Sequence, residues 1–266
     1  MTAPAGHRAV LIDAGNSKIR VVAWRGGRED RAVVGCGCGH ALPAAAALTE
    51  WGRCATPAGG GETGRLAVWL QETLAPLSGL PVVLTSVVPE LVLQLRNLLP
   101  GLIVVDHTST LPFKLALDEP AAVGSDRLCN VAAAAASGCG SALVVDAGTA
   151  TTFDLLMGGE FVGGLIAPGM AFAASCLAQS AARLFPVPFE ACGLEAGSNT
   201  ASAMQAGCYH AGVGGVEAVV TGLLAKYGPL PVVVTGGLGY VLARSGRLHD
   251  PDWTLRGAAV LAELGA

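Results

Sequence analysis

The sequence predicts an α/β protein of two similar lobes facing one another across a cleft, and three observations carry that expectation. Short apolar, β-branched runs alternate along the chain with helical patterns. One strand-and-turn motif occurs twice, as AVLIDAGNS at residues 9–17 and ALVVDAGTAT at 142–151. The 266 residues, 52% hydrophobic and 14% charged, can fill a sizeable core.

The elements follow in order. Strands near 8–14 and 18–25 read as a hairpin, the second alternating Lys18 and Arg20 with Ile19 and Val21. RLAVWLQETL places Leu66, Leu70 and Leu74 on one helical face, and the strand PVVLTS follows. PELVLQLRNLL opens with Pro89, where the first turn of a helix accepts it, and LIVVD closes the first half. Thr108 to Pro120 is the natural junction, so the lobes are expected at 1–120 and 121–266. The second half opens with VGSDRLCNVAAAAAS, helical from about Asp126, and continues through ALVVDAGTATTFDLL, EFVGGLI and a helix after Pro168. Helical patterns run from Asn199 to Lys226, followed by the strand PVVVTGG and a last helix.

Composition excludes several classes of function. A net charge of −4, a pI near 5.7 and only three lysines (Lys18, Lys114, Lys226) offer no basic stripe for nucleic acid. No helix-turn-helix with a basic reading face is visible. MTAPAGHR lacks the apolar region of a secretory signal. The uncharged stretch 161–182 is interrupted by Gly163, Gly164, Pro168 and Gly169, so no membrane span is expected. Of eight cysteines only Cys36 and Cys38, beside His40, cluster; a metal there would need a distant fourth ligand, and a glycine-rich turn with free thiols is the expectation. Together these readings place the chain in a reducing cytoplasm. No lysine follows a glycine, which excludes a P-loop. GGGETG at 59–64 fits a dinucleotide fingerprint but follows CATPA where a strand is required, and reads as a loop.

The repeated turn carries the chemistry. Gly15 and Gly148 can take positive φ and let the backbone approach closely, so that amides and the hydroxyls of Ser17, Thr149, Thr151 and Thr152 can meet phosphate oxygens. Asp13 and Asp146 would repel that phosphate unaided. A hard cation between them resolves the conflict, and Mg²⁺ keeps waters that such an acid can hold. Each turn alone could be an ordinary Asp-Gly turn. Their pairing in matching strand context points to a metal–nucleotide complex.

With DAGNS at 13–17, TSVVP at 85–89, GSDR at 124–127, DAGTATTFD at 146–154, GGLIAPG at 163–169, SNT at 198–200 and TGG at 235–237, the chain resembles type III pantothenate kinases over nearly its whole length. That family belongs to the actin-like (ribonuclease H-like) superfamily of sugar kinases and heat-shock ATPases, so the resemblance implies mixed sheets flanked by helices. It implies ATP-dependent phosphorylation of pantothenate, the first step of coenzyme A synthesis, by a homodimer with the site near the subunit interface. It maps ATP contacts onto Asp13, Ala14, Gly15, Asn16, Ser17, Lys18, Ile19, Arg20, Gly148 and Thr149. The catalytic base would be Asp126, the pantothenate site Gly124, Ser125, Asp126, Arg127 and Thr200. Asp146 would hold a monovalent cation, K⁺ or NH₄⁺, and Asp13 would meet Mg²⁺ through water.

These roles suit the residue types. An Asp near the acceptor hydroxyl can take its proton as the phosphoryl arrives, and the planar fork of Arg127 matches a carboxylate. Each has a plainer reading: Asp126 as a helix first-turn acid, Arg127 as a solvated charge, Asn199 and Thr200 as a helix cap. GGLIAPG reads as a tight turn with Pro168 at a helix start, and TGG as backbone near adenine or ribose. Leu117 stands where family members often carry Tyr, and Ser17 replaces the commoner Thr while keeping the hydroxyl. The competing functions are a sugar kinase of the same superfamily and a nucleotide-binding regulator without catalysis.

Overall fold

The computed structural model describes residues 6–26, 31–33, 41–43, 47–57, 63–244 and 246–265. The CGCGH cluster lies outside them, as does most of GGGETG. The chain runs β1 (His7–Ala14), β2 (Lys18–Arg25), β3 (Arg31–Val33), β4 (Ala41–Pro43), β5 (Leu48–Ala55), α1 (Thr63–Leu74), β6 (Val82–Ser86), α2 (Pro89–Leu98), β7 (Ile103–Val104) and β8 (Lys114–Leu115). It continues through α3 (Ser125–Ala136), β9 (Ala142–Ala147), β10 (Ala150–Met157), β11 (Glu160–Pro168), α4 (Met170–Ser180), α5 (Thr200–Tyr227), β12 (Val232–Thr235), β13 (Arg247–His249) and α6 (Trp253–Leu264).

The strand order shows the repeat at the level of topology. The first sheet is ordered β5-β2-β1-β6-β7, with β2 antiparallel to β1 and β5, and β6 parallel to β1 and β7. The second is ordered β13-β12-β9-β10-β11-β8, with β12 parallel to β9 and β13. β9, β10 and β11 are joined by two-residue turns, which only antiparallel neighbours allow. Gly158 and Gly159 form the second of these turns at φ 58° and 80°, the left-handed pair a tight hairpin turn demands. Each sheet thus carries three antiparallel strands and then two parallel ones, and the second adds β8 parallel to β11 at its other edge. This is the mixed α/β class that the sequence predicts.

Strand β1 is buried on both faces, which is why it reads as a continuous apolar run. Val10, Ile12 and Ala14 pack with Ile19, Val21, Leu66, Leu70, Leu84, Leu91 and Leu95, the core under α1 and α2. The alternate residues, Leu11 and Asp13, face the side that α3 and α6 cover.

Two compact units emerge from the contacts. One holds Met1–Gly140, Leu156–Val162 and Asp252–Ala266; the other holds Ser141–Leu155 and Gly163–Pro251. The last helix therefore belongs with the first strands. α6 lies so close to α3 that a Cβ on Gly257 would overlap the backbone carbonyl of Cys129. Gly257→Ala is therefore expected to destabilise the fold by about 3 kcal/mol, since backbone must move to admit the methyl group. Urea unfolding of the variant checks this, and an unchanged midpoint would refute the contact.

The structure adds β3, β4, β5, β8 and β13 to the strands read from sequence, and moves one helix start. Pro168 ends β11, and Gly169 is the N-cap of α4.

Candidate functional site

The first DAGNS turn closes the β1–β2 hairpin. The Gly15 amide donates to the Lys18 carbonyl at 3.0 Å, and Thr56 clasps the turn from outside. Its amide donates to the Ser17 carbonyl at 3.2 Å and its hydroxyl to the Gly15 carbonyl at 2.5 Å. Asn16, Ser17 and Lys18 are exposed at the tip, whereas Ala14 and Ile19 are core residues.

Neither Gly15 nor Gly148 uses the positive φ that glycine makes available. Both turns close without a left-handed residue. A Cβ on Gly15 would meet nothing nearer than the Lys18 carbonyl at 3.9 Å, and one on Gly148 nothing nearer than the Ala150 carbonyl at 3.5 Å. Nothing inside the chain requires glycine there. What glycine leaves open is close approach from outside, as a phosphate would need.

The register lines up a polar row across the first sheet. Asp13 stands opposite Arg20 on β2 and opposite Thr85 on β6, and Arg20 opposite Arg53 on β5, so all four side chains share one face. Burial pushes the Asp13 carboxyl up to about 6; Arg20 is the strongest opposing influence, Asp126 adds to the rise, and Lys18 opposes it weakly. Arg20 offers only part of its charge, because Nε donates to Glu50 Oε2 at 3.0 Å and Nη2 to Asp252 Oδ1 at 2.7 Å. Glu50 in turn takes two bonds from Arg53, at 3.1 and 2.8 Å. Asp13 is thus a carboxylate short of positive charge. Among the described residues no three His, Cys, Asp or Glu gather as a metal cage. A cation at Asp13 must bring most of its ligands, as Mg²⁺ on a polyphosphate does.

The GSDR element opens α3 beside this row. Ser125 is buried and knits the site together: its Oγ accepts from the Ser86 amide at 2.7 Å and from Thr85 Oγ1 at 3.0 Å, and donates to the Ser86 carbonyl at 3.0 Å. Ser86 Oγ donates to the Ala14 carbonyl at 2.9 Å. Motifs at 13–17, 85–89 and 124–127 therefore form one network within the first unit. Asp126 Oδ1 accepts from the Arg127 amide at 2.7 Å, so the first-turn reading of this acid holds geometrically. Burial raises its pKa, with that amide the chief opposing influence, and makes it a stronger base than an exposed carboxylate. A Cβ on Gly124 would sit 2.6 Å from Asp126 Oδ1, so glycine there leaves the carboxylate its place. Arg127 is half-buried, its guanidinium 5.4 Å from the centre of the Phe161 ring, rather than the solvated charge of the plainer reading. Leu117 is half-buried on the approach to α3.

In the second unit the DAGT turn repeats the register, Asp146 on β9 standing opposite Thr235 on β12. Gly236, at φ 86°, lies so near the Asp146 carboxylate that a Cβ would overlap it. The Gly148 amide donates to the Ala150 carbonyl at 3.0 Å, leaving Gly148 and Thr149 exposed at the tip. Gly169 packs against this turn, its amide donating to the Thr149 carbonyl at 3.0 Å where any Cβ would overlap the Gly148 and Thr149 carbonyls. Thr151 and Thr152 are buried, and Thr152 Oγ1 donates to Asp154 Oδ2 at 3.1 Å. They are core hydroxyls, not the phosphate ligands the sequence suggested, because β10 is covered on both faces.

Thr200 is exposed at the first position of α5. Asn199 caps that helix, its Oδ1 accepting from the Ser202 amide at 2.9 Å and its own amide donating to Ser202 Oγ at 3.3 Å. Thr200 shares with Met170, Leu177, Leu184 and Met204 the lining of a largely apolar cavity of about 820 Å³. Sequence reasoning missed Glu50, Thr56 and Asp252. None of them lies in a recognisable motif, and Asp252 reads only as a helix cap.

Comparison with known proteins follows the same lines. A family model described as type III pantothenate kinase matches residues 9–222. A type III pantothenate kinase of Dehalococcoides mccartyi is 40% identical over 57% of this chain and 60% of its own length. The alignment with such relatives thus spans less than two thirds of them. Others align more fully: the protein of Phenylobacterium zucineum is 34% identical over 72% of this chain and 80% of its own, and that of Ruegeria sp. 33% identical over 93% and 94%. Among solved structures, a Baf family chain from Campylobacter jejuni matches with a TM-score of 0.56 at 19% identity, covering 96% of this chain and 97% of its own. The ethanolamine utilization protein EutJ of Carboxydothermus hydrogenoformans matches at 0.54 and 14%, covering 97% and 91%. These structural likenesses show the fold alone.

Proposed function

This chain belongs to the type III pantothenate kinase family, and from that premise we propose that it transfers the γ-phosphoryl group of ATP to the primary hydroxyl of pantothenate. A kinase family implies ATP and a divalent metal. The observation that carries the reading is the hydrogen-bonded network joining the Asp13 turn to the Asp126 helix through Ser86 and Ser125.

The roles follow from the family resemblance, and the geometry within each unit supports them. Residues 13–20 are nucleotide contacts on a turn whose tip is open, and the family resemblance carries the same role to Gly148 and Thr149. Asp13 would hold Mg²⁺ through water, and the cation would supply the positive charge its surroundings lack. When the acceptor oxygen bonds to phosphorus, the bond to the ADP oxygen breaks and Asp126 receives the hydroxyl proton. Arg127 presents its fork to the pantothenate carboxylate beside Gly124, and the family resemblance assigns Thr200 to the same substrate; the Ser125 hydroxyl is engaged internally and serves by fixing the strand end. Asp146 holds K⁺ or NH₄⁺. A cytoplasmic location belongs to the same reading.

The test is direct: protein, Mg·ATP and pantothenate are combined with and without K⁺ or NH₄⁺, and phosphopantothenate is sought by mass spectrometry. Product formation that rises with the monovalent ion is the expected result. ATP consumption with a hexose but not with pantothenate would replace this reading by the sugar kinase, and tight ATP binding without turnover by the regulator.

We also propose a homodimer built on α4 and α5. Among the described residues α5 is long and apolar enough to cross a membrane by length and composition, with 17% of its most apolar stretch buried. Ile166, Phe172, Leu177 and Phe185 on or near α4 are exposed as well. A second copy covering this surface accounts for both. Sedimentation equilibrium is expected to show a dimer in the absence of detergent, and a stable monomer would refute it.

A further inference from the structure

We infer that Asp252, Trp253 and Thr254, three consecutive residues at the start of α6, are positioning residues that tie the phosphate-turn arginine to the acceptor helix α3. Which reaction they serve rests on the kinase reading above; the bridge itself rests on four contacts.

Asp252 is the N-cap of α6, where an aspartate ordinarily accepts an amide of its own helix. Here it makes no such cap bond. Its Oδ1 accepts from Arg20 Nη2 at 2.7 Å, in a pair whose side chains are only 12% and 27% exposed. One residue on, Trp253 is fully buried and its Nε1 donates to the Asn130 carbonyl at 3.0 Å. Thr254 Oγ1 donates to Asn130 Oδ1 at 2.8 Å, satisfying a side chain with no exposure at all. Asn130 lies one helical turn beyond Asp126 on α3, and Gly257 lets the two helices touch backbone to backbone at Cys129.

The consequence is mechanical. Arg20 faces Asp13 across the hairpin, and Asn130 rides on the helix that carries Asp126. The start of α6 therefore sets where the phosphate side and the acceptor side of the first unit stand. In-line transfer depends steeply on such placement, with about 1 Å of error costing about a hundredfold.

The bridge has two ends, and they separate in kinetics. In the full chain, Asp252→Asn is expected to raise KM for Mg·ATP about tenfold while leaving KM for pantothenate within about twofold. Thr254→Val is expected to lower kcat about tenfold with KM for Mg·ATP nearly unchanged. Asp252→Glu and Thr254→Ser, which keep the bonding groups, should recover most of each loss. A purely structural role would lower the active fraction in both variants alike and leave every KM alone, which would overturn the proposal. Hydrogen exchange gives a readout that needs no substrate: Asp252→Asn should speed exchange in residues 15–20 and Thr254→Val in residues 125–130, with 89–98 unaffected. If wild type fails to phosphorylate pantothenate, the kinase reading falls and exchange alone decides the bridge; unchanged exchange in both segments would sink it.

Discussion

Asp126→Asn will lower kcat by about a thousandfold, within the range that loss of a general base produces, while ATP affinity stays within about twofold. Asparagine keeps an oxygen to accept the Arg127 amide, so the first turn of α3 need not rearrange. What it loses is the basic site that burial has strengthened. The helix gives up one favourable charge near its N-terminus, a matter of about 0.5 kcal/mol. Steady-state kinetics beside calorimetric ATP titration checks both halves. A variant that no longer binds ATP would remove Asp126 from the acceptor side, and one that retains a tenth of its turnover would remove it from proton transfer.

Asp13→Asn is expected to do two opposite things: abolish productive use of Mg·ATP and make the free protein more stable near neutral pH. The sign follows from linkage. An acid raised from 3.8 to about 6 on folding holds its proton more tightly in the folded chain than in the unfolded one. Stability from this group is therefore greatest below about pH 4 and declines as pH rises through about 6, after which the ionised group costs at most about 3 kcal/mol. The neutral amide escapes that cost. We expect a gain of about 1–2 kcal/mol near pH 7.5 and little gain near pH 4.5. Turnover should fall by at least about a hundredfold, because the cation loses its carboxylate. Denaturant unfolding at both pH values, with and without Mg·ATP, decides it. Ligand should stabilise wild type far more than the variant, and a variant less stable than wild type at neutral pH would show that contacts made by the ionised Asp13 outweigh its burial.

The twin turns were legible because each sits at the end of a strand buried on both faces, where an acid interrupts an apolar run. Pro89, the Leu66–Leu70 face and the Asn199 cap were legible for the same reason: each reflects geometry within one element. What escaped was register. That Thr85 stands beside Asp13, and Thr235 beside Asp146, depends on which strands lie parallel, and spacing along the chain does not disclose it. The Arg20–Asp252 pair spans 232 residues of sequence. Thr151 and Thr152 misled for the converse reason, since hydroxyls in a motif look available until both faces of β10 are seen to be covered.

Because α6 completes the unit that β1 begins, the order of synthesis works against that unit. A nascent chain emerging from the ribosome would carry β1, β2, β6 and α3 long before the residues that shield them, with the face around Leu11 and Asn130 bare until Leu255, Ala258 and Leu261 arrive. Folding of the first unit therefore waits on the synthesis of α6, and a frameshift near residue 250 would strip that unit of its cover.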